Sequence, residues 1–168
     1  KRFFNKCIKS VVNQSYRNIE VIIIYDDTDQ KELAYVKKEI KNYRNIKLII
    51  NKKNLGAPRS RNIGIKKSCG EYIAFLDCDD YWDSRKLEKQ LRFMKKNNVE
   101  FSHTNYEIIN SKGVLIGKMP VKKKISYENL IKSCDIGLST VVLKREILPK
   151  NPFPPLITKE DYVLWLRL

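Results

Sequence analysis

The chain has 168 residues, a single domain's worth and enough to bury a substantial core. Its 34 Lys and Arg against 19 Asp and Glu give a net charge of +15, which points to an anionic partner: a nucleic acid, an acidic membrane surface or a phosphorylated substrate. Four cysteines (Cys7, Cys69, Cys78, Cys134) without a CxxC pair, and one histidine (His103), leave a zinc site, a histidine metal site and a Ser-His-Asp triad without support.

No apolar run reaches membrane-spanning length and no signal peptide opens the chain, so a cytoplasmic protein with reduced thiols is expected. The basic residues are mostly Lys in scattered pairs, with one triplet at Lys122-Lys123-Lys124, and read largely as a solvated surface.

In chain order, Phe3, Phe4, Cys7, Ile8, Val11 and Val12 recur at helical spacing. Ile19 to Tyr25 is a β-branched run expected to form a buried strand. Leu33, Val36, Ile40 and Tyr43 mark a second helix, Ile46 to Ile50 a second strand, and Gly56 to Lys67 a third helix. Tyr72 to Leu76 is a short buried strand, followed by a helix from about Ser84 to Lys96. This alternation predicts an α/β fold with a mostly parallel sheet flanked by helices.

After Asn97 the pattern changes. Val99 to Asn105 and Tyr106 to Ile116 read as strands, with a hairpin turn around Ser111-Lys112-Gly113. A short helix capped by Ser126 is expected over Tyr127 to Ser133, and a strand over Ser139 to Leu143. Pro149, Pro152, Pro154 and Pro155 predict an irregular passage before a last helix from Glu160 to Leu168. An α/β domain that opens on a helix lacks its first strand, and both ends read as cut, so a truncated domain is expected.

The densest chemistry lies at Asp77, Asp79 and Asp80, three carboxylates within four positions where an apolar strand ends. Like charges this close are costly unless water, a cation or a basic partner relieves them. Hard oxygen ligands suit Mg²⁺ or Mn²⁺, ions held by one or two carboxylates plus substrate phosphates. In open α/β sheets ligands bind at the carboxyl ends of strands, where this cluster falls.

Four motifs occur in one order: Ile22-Ile-Ile-Tyr-Asp-Asp-Thr-Asp29, Asn54-Leu-Gly-Ala-Pro-Arg-Ser-Arg-Asn-Ile-Gly-Ile65, Phe75-Leu-Asp-Cys-Asp-Asp80 and Lys159-Glu-Asp-Tyr-Val-Leu-Trp-Leu-Arg167. Together they resemble the family 2 glycosyltransferases of the GT-A fold, over the whole chain. The resemblance implies a Rossmann-like GT-A domain over residues 1–168, lacking its first strand and C-terminal part. Residues 1–97 would be the nucleotide-sugar-binding half and 98–168 the acceptor-binding half. It also implies an inverting, metal-dependent transfer from a nucleotide sugar, a UDP-sugar first, to a hydroxyl of a glycan or lipid-linked acceptor in bacterial surface-glycan synthesis.

By the same resemblance, Asp26 and Asp27 contact the nucleoside, although Thr28 stands in a loop one residue shorter than the commoner pattern. Arg61 pairs with the diphosphate or with the acidic cluster. Asp79 is the direct ligand of Mn²⁺ or Mg²⁺, and Asp77 contacts the ribose or the metal shell. Asp161 is the general base, with Glu160, Asp80 and Trp82 as acceptor contacts or supports. Each acid also has a purely structural reading, as a turn cap, a helix N-terminal charge or an Arg partner. The basic surface suits peripheral contact with an anionic inner leaflet. A catalytically inactive nucleotide-binding module stays open. A nucleic-acid partner rests on charge alone, without an aromatic-basic motif.

Overall fold

The structure, a computed structural model, describes residues 2–121 and 125–168. The lysine triplet singled out above lies outside the described residues.

Helix α1 (Arg2–Val12) packs Cys7, Ile8 and Val11 inward, the spacing of one helical face. Strand β1 (Val21–Tyr25) pairs in parallel with β2 (Ile46–Ile50), Val21 opposite Ile46 through Tyr25 opposite Ile50. The first strand starts two residues later than expected and is half-buried until Tyr25. Between them runs α2 (Gln30–Ile40), whose N-cap Asp29 accepts from Lys31 N at 2.7 Å and Glu32 N at 3.2 Å. Leu33, Val36 and Ile40 of α2 close over Tyr25, with Ile23, Ile46 and Leu48 at the edge of the cluster.

Helix α3 (Ala57–Lys67) begins after Gly56, whose φ of +83° only glycine adopts freely, and has Pro58 in its first turn. A Cβ at Gly64 would stand 3.7 Å from Ile24, an ordinary contact, so α3 packs on β1 here with room for a methyl.

Strand β3 (Tyr72–Ala74) does not continue the parallel ladder: it pairs antiparallel with β7 (Val142–Lys144), which also pairs antiparallel with β4 (Phe101–Ser102). Among the described residues the hydrogen-bonded order is therefore β1–β2, then β3–β7–β4, with a separate hairpin. That hairpin joins β5 (Tyr106–Ile109) to β6 (Leu115–Met119) at the predicted turn, where the Asn110 side chain accepts from Lys112 N and Val114 N and Gly113 takes a φ of +83°.

Three expected strand bounds are corrected. The strand over Val99 to Asn105 shrinks to two residues, because only Phe101 and Ser102 find partners on β7. The strand expected from Ser139 starts at Val142, after a 3₁₀ turn over Leu138–Thr140. Strand β3 stops at Ala74, two residues before Leu76, where the chain peels away toward the acidic cluster.

Helix α4 (Lys86–Asn97) buries Leu87, Leu91 and Met94, and Asn98 in the left-handed conformation ends it. The short helix α5 (Tyr127–Leu130) is capped by Ser126, whose hydroxyl accepts from Asn129 N. Helix α6 (Glu160–Trp165) ends the chain, with Leu164 and Trp165 in the main core beside Phe75, Val141, Leu143 and Phe153. No helix among the described residues is long and apolar enough to cross a membrane.

Candidate active site

The first predicted pair divides its labour. Asp26 Oδ1 accepts from Asn51 Nδ2 at 2.7 Å and from Leu55 N at 2.8 Å, and Asn51 in turn donates to Ser60 at 2.9 Å. Burial opposes the charge on Asp26, but these bonds outweigh it and hold the carboxyl below its ordinary range. Asp26 therefore braces the loop leading into α3. Asp27 is exposed and turns back on its own backbone, accepting from Thr28 N at 2.6 Å.

At the end of β3 the loop carrying Asp77, Asp79 and Asp80 is held from several sides. Asp77 N donates to Ser139 Oγ at 3.1 Å, the Cys7 thiol reaches Asp77 O at 3.6 Å, and Asp77 Oδ1 pairs with Arg61 at 3.0 Å. Ser139 donates on to Asp80 Oδ2 at 2.6 Å, and its carbonyl accepts the Trp82 indole N–H at 2.7 Å. One serine thus joins Asp77, Asp80 and Trp82.

Arg61 spans the site. One nitrogen of its guanidinium binds Asp77 and another binds Glu160, 99 positions away in sequence. Glu160 is buried and Arg61 partly so, whereas the Asp77 side chain is 44% exposed, so the Glu160 end of this link between the end of β3 and the start of α6 is the desolvated one. The neighbouring Asp161 is half-buried and accepts from Tyr162 N at 2.8 Å. Arg59 is exposed.

Negative charge is in excess here. Burial pushes Asp80 upward, with Asp77 and Asp79 adding to the rise against the Ser139 hydrogen bond. The buried Cys7 thiol is pushed up to about 12, by burial first and then by Cys78 and the three aspartates. Among the described residues no three His, Cys, Asp or Glu side chains converge into a closed metal cage. Two exposed carboxylates in an acidic field still fit a hard divalent ion whose other ligands are phosphate oxygens and water. Cys78 is exposed beside them, and its soft thiol does not suit such an ion.

Two residues with no role in the sequence reading hold this site. Ser139 was expected inside a strand, and its partners lie roughly sixty positions away, so no local pattern signals it. Lys86 is the second. Its buried Nζ has no hydrogen-bond partner among the described residues and sits 4.2 Å from the centre of the Trp82 ring. Trp82 is thus engaged on its face by Lys86 and at its N–H by Ser139.

A parallel β1–β2 pair beside the antiparallel β3–β7–β4 sheet, with carboxylates at the strand ends and Arg61 bridging to Glu160, is the layout of a GT-A-like fold. The solved structure of S. aureus TarS 1-349 in complex with UDP-GlcNAc superposes on 99% of this chain with a TM-score of 0.80, at 22% identity and over 49% of its own length. The family pattern described as Glycosyl transferase family 2 matches residues 2–148, and the chain belongs to that family. Two Escherichia coli relatives are UDP-Glc:alpha-D-GlcNAc-diphosphoundecaprenol beta-1,3-glucosyltransferases: WfgD, 44% identical over 162 residues, and WfaP, 40% identical over 161. Each comparison covers 96% of this chain, and the chain spans 62% of the length of each relative.

Proposed function

We propose that the protein carrying this chain is a metal-dependent, inverting glycosyltransferase of the cytoplasmic side of the membrane. It moves a sugar from UDP to a hydroxyl of a glycan carried on a lipid diphosphate, in the synthesis of bacterial surface polysaccharide. The observation that carries the reading is the Arg61 bridge, which ties the Asp77 loop to Glu160, the residue next to Asp161 in the chain. The names of WfgD and WfaP support the UDP donor and the lipid-diphosphate acceptor.

In this scheme residues 1–97 hold the donor and 98–168 the acceptor. Asp27 and the loop braced by Asp26 receive the nucleoside, where exposed carboxylate oxygens accept from base N–H or ribose hydroxyls. Asp77 and Asp79 would hold Mn²⁺ or Mg²⁺ against the two phosphates, and the ion supplies charge neutralisation for the departing diphosphate. Arg61, already bound to two carboxylates, positions Asp77 and Glu160. Asp161 takes the proton from the acceptor hydroxyl as that oxygen attacks the anomeric carbon, on the face opposite the leaving group, so the configuration inverts. Ser139, Asp80 and Trp82 keep the loop in register. Scattered surface lysines favour peripheral contact with anionic lipid.

Calorimetric titration of UDP with Mn²⁺, with chelator and with an Asp79→Asn variant tests the donor site. Binding that needs the ion and is lost in the variant is expected. Equal binding in all three would refute a metal-held donor.

A further inference from the structure

Beside Asp161 lies a cavity of about 440 Å³ between the end of α5 and the start of α6. Ile131, Lys132, Cys134, Lys159, Asp161 and Tyr162 line it. The Tyr162 hydroxyl donates to Leu130 O at 2.6 Å and fixes the two helices around it. Burial chiefly, and then Asp161 and Asp135, raise the Cys134 thiol, which places the Asp161 charge close to that wall.

Three chemistries meet at this cavity. Asp161 offers a carboxylate that can accept a proton from a hydroxyl. Lys132 and Lys159 are exposed, and neither ammonium pairs with a carboxylate among the described residues. Ile131 in the lining is exposed, and so are apolar neighbours in sequence of the lining residues: Tyr127, one turn earlier on α5, and Leu156 and Ile157, just before Lys159. Lys159 also holds a left-handed backbone, φ +61°, a conformation costly for a side chain with a Cβ. The residue that bears this strain is the one that brings an ammonium to the cavity edge, directly before Glu160-Asp161. Strain of this kind collects where a side chain must be aimed.

We infer that this cavity is the acceptor subsite, and that Lys132 and Lys159 grip the diphosphate joining the acceptor sugar to its lipid, whose first isoprenyl carbons lie along Tyr127, Ile131, Leu156 and Ile157. The inference rests on the transferase reading and deepens it. An acceptor seated this way presents its sugar to Asp161, its two phosphates to paired ammonium groups and its apolar chain to the exposed rim. A neutral sugar would leave both lysines unused, so the site selects lipid-diphosphate acceptors over free glycans.

Two variants test this. Lys159→Gly removes the ammonium and supplies the residue best suited to the left-handed backbone, so it folds at least as well as the parent. Lys132→Ser removes an exposed charge. Binding is titrated with three probes: N-acetylglucosamine joined through a diphosphate to a geranyl chain, the geranyl glycoside without phosphate, and UDP with Mn²⁺. The diphosphate probe should bind at least about tenfold more tightly than the neutral glycoside, the advantage of charge-assisted hydrogen bonds. Each variant should lose about tenfold for that probe alone and leave UDP and the neutral glycoside unchanged. Equal affinity for the two geranyl probes, or a preference that survives both substitutions, overturns the inference. So does displacement of the diphosphate probe by UDP, which would assign the lysines to the donor. Failure of UDP itself to bind counts against the donor site and is read on a separate arm.

Discussion

Lys86 carries the least expected charge in the molecule. Burial alone, with no carboxylate contributing, takes its amine from an ordinary 10.5 down to about 7. Each pH unit between those values is worth about 1.4 kcal/mol, so burying the protonated amine costs roughly 5 kcal/mol at low pH and roughly 4 at pH 7. The Trp82 face 4.2 Å away attracts the ammonium and offsets about 1–2 kcal/mol of that. Lys86→Met keeps an unbranched stem of similar reach and removes the charge. It should raise stability at pH 7 by roughly 2–3 kcal/mol, the residue of those two effects.

The sign with pH follows from proton counts. Between about 7 and 10.5 the unfolded chain holds the Lys86 proton and the folded protein does not, so stability rises with pH across that window. Below it both states are protonated and the full cost remains. Urea unfolding of parent and variant at pH 7.0 and 9.5 reads this directly, because titrations elsewhere cancel in the comparison. The variant's advantage should shrink by about 2–3 kcal/mol between the two conditions. Parallel pH dependence in the two proteins would show that Lys86 is solvated, and the reasoning would fall.

Arg61→Ala strands the buried Glu160 without its partner and should cost about 3 kcal/mol, lowering Tm by roughly 6–12 °C in a scanning calorimeter. Asp26→Ala leaves Leu55 N and one of the two Asn51 Nδ2 hydrogens unpaired, at about 1–3 kcal/mol in chemical denaturation, whereas Asp26→Asn keeps the accepting oxygen and should cost less than about 1. If the two Asp26 variants are equally damaged, the charge and not the hydrogen bonding matters there. Asp161→Asn should cut kcat by about 10²- to 10⁴-fold while UDP affinity stays constant, the pattern of a lost general base. A matching loss of UDP affinity would move Asp161 to the donor side.

Elements whose signal is local were legible in the sequence. The faces of α1, α2 and α4 follow from apolar spacing, β2 fills its expected span of Ile46–Ile50, and the β5–β6 turn and the Ser126 cap fall where their side chains dictate. Where a strand's extent depends on its neighbour, the reading failed. β3 stops at Ala74 and β7 starts at Val142 because each reaches only as far as the other pairs with it. Phe75 and Leu76 after β3, and the β-branched Thr140 and Val141 before β7, suit a strand equally well, so composition could not mark the ends.

The candidate site divides along the same line. The carboxylates of the strand-end loop and of Glu160-Asp161 stand out as residue types in the sequence, and the resemblance to family 2 glycosyltransferases ordered them. Tertiary structure alone decided what they touch: Arg61 across to Glu160, Ser139 under Asp77 and Asp80, Lys86 against Trp82, and two lysines beside Asp161. Periodicity and capping act within a few residues along the chain and can be read there. Ion pairs, desolvation and cavities arise between residues tens of positions apart, and they exist only once packing has excluded water and fixed their distances.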